Sequence, residues 1–150
     1  MLAGSEDFIG EARLWRRRLG GTLYHLSPMV ASAAMRLDQR LALMPALYQR
    51  TLDLATALAG SPGLRINPAV PHTNMLHLYF DASAAAVLEA RDAVAEQSRC
   101  WLLDWARPAE VPGWGVTEIY VGDQLLAAPN ERLLPLFAQL CEILLAPKAS

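Results

Sequence analysis

The chain has 150 residues, 53% of them hydrophobic and 19% charged, with a formal charge of −2. That balance describes a globular chain long enough for a real core and excludes a disordered tail. It offers no whole-molecule attraction to nucleic acid or to an anionic membrane, no apolar run reaches the length of a membrane helix, and Met1-Leu2-Ala3-Gly4 lacks the features of a secretion signal. The expectation is a cytoplasmic protein with neither nucleic acid nor membrane as partner. Cys100 and Cys141 form no CxxC pair and sit in apolar runs. They read as buried free thiols, with a disulfide between them left open.

Ser5 is a helix N-cap, followed by Glu6 and Asp7 in the first turn, where the helix dipole favours negative charge. Phe8, Ala12, Trp15 and Leu19 make one apolar stripe, Arg16, Arg17 and Arg18 occupy the last turn, and Gly20-Gly21 stops the helix. The arginines beside Trp15 could contact phosphates, but complementing the dipole explains them without a ligand. Ser27-Pro28 starts a second helix whose stripe runs through Val30, Ala33, Leu37, Leu41 and Met44. Pro45 should end or kink it. Periodicity resumes through Leu47, Thr51, Leu54, Ala55 and Leu58, which predicts one long, kinked helical arm to Gly60.

A turn cluster at Ser61-Pro62-Gly63 changes the character of the chain. Leu64 to Ile66 reads as a short strand. Thr73 to Phe80 reads as a longer one, with Leu76, Leu78 and Phe80 on one face and Met75, His77 and Tyr79 on the other. A helix follows over 83–97, carrying Val87, Ala90 and Val94 inward. Trp101 to Leu103 and Val116 to Val121 read as strands separated by a Pro/Gly loop over 107–115, and an amphipathic helix closes the chain over 130–145. The fold class is therefore α+β: an N-terminal helical arm and a two-layer β-β-α-β-β-α domain. The expected division is 1–60 and 61–150.

Motifs for independent chemistry are absent. His25, His72 and His77 have no third partner at metal-ligand spacing, and no GxSxG elbow or glycine-rich phosphate loop follows a strand. No catalytic residue and no metal ligand is assigned. The only lysine is Lys148, in the terminal stretch Ala146-Pro147-Lys148-Ala149-Ser150, a poor place for a pocketed Schiff-base amine.

The run Gly4-Ser5-Glu6-Asp7-Phe8-Ile9, with Ala12-Arg13, Arg17-Arg18 and Gly20-Gly21, resembles the segment that follows the cofactor lysine in threonine aldolases. These belong to the aromatic amino acid β-eliminating lyase group of fold-type-I pyridoxal-phosphate enzymes. Thr73-Asn74-Met75-Leu76 is similar to the strand opening that family's small C-terminal domain, Leu52 to Leu58 to its inter-domain helix, and Thr117 to Gly122 to its last strand. The resemblance implies the C-terminal portion of a lyase that splits a β-hydroxy amino acid into glycine and an aldehyde. It implies pyridoxal 5'-phosphate in the complete enzyme, held covalently by a lysine ahead of this chain, which alone would be inactive. It also implies self-association or a large domain as partner. Tyr24 stands where the family places an arginine near the cofactor phosphate, and Glu118, with Tyr120 next along, where it places the arginine that clamps the substrate carboxylate. A displaced Arg107 is the candidate replacement clamp, since a carboxylate repels that group. The alternative is a non-enzymatic, homo-oligomeric interaction module on the same fold.

Overall fold

The computed structural model describes residues 2–147, and Lys148 lies outside the described residues. The chain forms two compact units with the boundary between Ala42 and Leu43.

The first unit contains helix α1, Glu6–Arg18, and the opening turns of α2, Ser27–Leu58. The Ser5 side chain accepts a hydrogen bond from the Phe8 amide at 3.3 Å and closes the first turn. The last turn ends in a Schellman arrangement: the Gly21 amide donates to Arg16 O at 2.8 Å and the Gly20 amide to Arg17 O at 3.3 Å. Gly20 holds the left-handed conformation this needs, at φ 72°. None of α1 is buried, and Phe8 and Trp15 are each about half exposed. The apolar stripe read from the sequence is therefore real and uncovered.

α2 runs continuously through Pro45 as helix, so the proline does not end it. Its buried residues begin only at Leu47 and continue through Thr51, Leu54, Ala55 and Leu58. Thr51 reaches burial because its hydroxyl donates to Leu47 O one turn back, at 2.7 Å.

The second unit adds β1 (Leu64–Ile66), β2 (Met75–Phe80), α3 (Ala84–Ser98), β3 (Arg107–Pro108), β4 (Gly115–Tyr120), α4 (Asp123–Ala127) and α5 (Asn130–Leu145). The sheet order is β1-β2-β4-β3 and every pairing is antiparallel. Leu76, Leu78 and Phe80 of β2 are buried with Val87, Ala90 and Val94 of α3, Phe137 and Leu140 of α5, and Leu54 and Leu58 of α2. This is the two-layer α+β architecture expected from the alternation of apolar positions.

One strand is displaced. Trp101-Leu102-Leu103 is irregular, and the edge strand lies instead at Arg107–Pro108, inside the stretch expected to be a loop. Carbonyls of the 101–105 segment find side chains rather than a ladder. Arg91 Nη1 donates to Asp104 O at 3.0 Å, and the Thr117 hydroxyl donates to Trp105 O. The satisfied carbonyls and one buried anchor, Leu103, remove the need for strand pairing. α4 was not foreseen. Both cysteines are free thiols, Cys141 buried and Cys100 partly so. No helix among the described residues is long and apolar enough to cross a membrane.

Candidate functional site

The register assigns each sheet residue to a face. Leu76, Leu78 and Phe80 face the core, opposite Ile119, Thr117 and Gly115. The other face carries one row of Arg65, Tyr79, Val116 and Arg107, then His77 opposite Glu118, then Met75 opposite Tyr120. His77 Nε2 lies 3.1 Å from Glu118 Oε2, joining β2 to β4 side chain to side chain. Glu118 keeps only 24% of its side-chain surface. The Glu118 carboxylate, as a hydrogen-bond acceptor for the phenol and as a charge that repels a phenolate, raises the Tyr120 pKa from its ordinary value.

β3 pairs with Gly115 and Val116, and among the described residues no strand lies beside the outer edge of β4 from Thr117 onward. Along that edge lies a cavity of about 640 Å³, bordered by Trp101, Trp105, Glu118, Tyr120, Arg132 and Phe137 among others. Its size lies within the range of small-molecule sites. Arg50 of α2 secures the far wall by donating to Leu125 O, Ala128 O and Asn130 Oδ1.

The two residues singled out from the sequence lie elsewhere. Tyr24 belongs to the first unit, is 97% exposed, and meets His25 edge to face with ring centroids 5.4 Å apart. One solvated hydroxyl beside a histidine does not by itself make a cradle for a phosphate. Arg107 sits on the edge strand of the second unit, with Nη1 3.6 Å from Glu110 Oε1 and 3.4 Å from Pro108 O. It is not among the residues bordering the cavity. Among the described residues, no three of His, Cys, Asp and Glu come together as a metal site. Sequence reasoning missed Trp105, Arg132 and Arg50. The first two have no periodic signal, and only an arginine beside the buried stripe of α2 hinted at the third.

No family profile matches the chain. Low-specificity L-threonine aldolase 1 of Arabidopsis thaliana is 30% identical over 89 residues, 59% of this chain and 25% of that protein. A protein of Exiguobacterium sp. 255-15 assigned as an aromatic amino acid β-eliminating lyase/threonine aldolase superposes with a TM-score of 0.79 at 32% identity, covering 94% of this chain and 39% of its own. The chain is similar to threonine aldolases over most of its own length. A second solved structure, assigned as an L-allo-threonine aldolase of Listeria monocytogenes EGD-E, agrees, with a TM-score of 0.80, 28% identity, and coverage of 95% and 39%. The chain thus spans about two fifths of the length of the solved structures and a quarter of the curated protein.

Proposed function

We propose that this chain is the C-terminal part of a cytoplasmic carbon–carbon lyase that cleaves a β-hydroxy amino acid to glycine and an aldehyde. The observation that carries the reading is the agreement in fold over nearly the whole chain with two threonine-aldolase-type structures of more than twice its length. On this reading residues 1–60 are the end of a large domain and the inter-domain helix, and residues 61–150 are the small domain. Pyridoxal phosphate supplies the electron sink for the bond broken at the amino-acid carbon, and its lysine belongs to the remainder of the enzyme. This chain contributes walls, held in place by the core of the second unit. No acid, base or nucleophile is assigned to it.

The test is a longer product that includes the coding sequence ahead of Met1. It is expected to bind pyridoxal phosphate and to release glycine from a β-hydroxy amino acid, while the 150-residue chain alone does neither. A longer product that binds the cofactor but releases no glycine, or turnover by the short chain alone, overturns the reading.

A second reading, a self-associating module without catalysis, is favoured by the uncovered stripe of α1. Under it, sedimentation of the chain shows a concentration-dependent oligomer that Trp15→Glu dissociates. A wild-type monomer at high concentration ends that reading.

A further inference from the structure

We infer that the cavity beside β4 binds a small organic amine, a protonated amino group carried on an apolar or aromatic body. The inference rests on the cavity itself and does not require the lyase reading.

The walls are built rather than incidental. On one side the 101–105 segment is anchored by Leu103 in the core and by the Arg91 and Thr117 hydrogen bonds to its carbonyls. On the other, the turn between α4 and α5 is clamped by Arg50. Between them the unpaired edge of β4 brings in Glu118 and Tyr120. An apolar body would lie against Leu102 and Leu125, which border the cavity and are only partly buried.

Charge decides the other end of the ligand. Glu118 and Asp104 both border the cavity, against the one cation Arg132. Glu118 is three-quarters covered and fixed by His77, so its field is poorly screened. Its two oxygens can accept about four hydrogen bonds, leaving room for an ammonium donor beyond His77 and Tyr120. Arg132 and Asp104 are both exposed, and solvent-screened surface charges bind counter-ions weakly, which leaves the partly covered carboxylate of Glu118 to set the sign. Aromatic faces favour the same sign of ligand. Trp101 already has the Arg91 guanidinium over its ring at 4.1 Å, which leaves Trp105 and Tyr120 for the amine.

The experiment is calorimetric titration of the full chain with benzylammonium, benzyl alcohol and benzoate, which share one body and differ in charge. Benzylammonium is expected to bind saturably, benzyl alcohol more weakly, and benzoate least. Glu118→Gln, which keeps the shape, is expected to weaken benzylammonium about tenfold or more while leaving benzyl alcohol unchanged. Benzoate binding as tightly as benzylammonium makes Arg132 the recognising group and overturns the proposal. So does unaltered benzylammonium affinity in a cooperatively folding Glu118→Gln variant, or the absence of saturable binding by all three probes. If that variant does not fold, the comparison of the three probes on the unaltered chain decides alone.

Discussion

Arg50, in the C-terminal half of α2, donates through Nη1 to Asn130 Oδ1, in the first turn of α5, at 2.6 Å and across 80 residues of sequence. The same guanidinium donates Nε to Leu125 O at 3.0 Å and Nη2 to Ala128 O at 2.8 Å. One planar fork therefore satisfies three acceptors around the turn from α4 into α5, which a lysine cannot do. Removing it leaves two carbonyls short of a donor. Arg50→Ala is expected to lower stability by about 2–4 kcal/mol in urea unfolding, with Arg50→Lys recovering only part of the loss.

Gly115 opens β4 where it passes the start of α3. A Cβ there would lie 3.1 Å from Ala82 O and 3.2 Å from the Ala84 amide nitrogen and Cα, all backbone atoms that cannot rotate away. Gly115→Ala is expected to cost about 1–3 kcal/mol, read from the same unfolding curves. A neutral substitution would show that the two segments separate freely.

Cys141 is 3% exposed, and burial pushes its thiol pKa up, so little reactive thiolate forms. Cys100 is partly exposed. A thiol reagent is expected to modify Cys100 in the native chain and Cys141 only after denaturant is added. Mass spectrometry of the modified peptides distinguishes the two.

The phenol of Tyr120 titrates above its ordinary value because the Glu118 carboxylate is a hydrogen-bond acceptor for the phenol and repels a phenolate. A raised folded-state pKa means its contribution to stability is complete below the unfolded value, near 10, and is lost as pH rises through the folded value. Glu118→Gln removes the charge and is expected to bring this titration down towards the ordinary value. Phenolate absorbance measures it, with Tyr120→Phe identifying which of the four tyrosines moves.

Local order was legible wherever one residue type had to serve one neighbour a fixed distance along the chain. Ser5 and Ser83 each accept from the amide three residues on, and the acidic and basic ends of α1 follow its dipole. The alternation of Leu76, Leu78 and Phe80 named the buried face of β2, and Val87, Ala90 and Val94 that of α3. The resumed periodicity after Pro45 announced one long helical arm, and α2 does continue through the proline, whose ring removes only one backbone hydrogen bond.

From sequence alone, this chain's long helices, the buried faces of β2 and α3, its two-layer class and its likeness to threonine aldolases could be determined, because periodicity and capping act over a few residues. Tertiary structure alone decided that Trp101 to Leu103 leaves the sheet, that His77 meets Glu118, and that Arg50 fastens the turn bordering the cavity. Those outcomes depend on partners 12 to 80 positions away, whose meeting is set by how the whole core closes rather than by any local pattern.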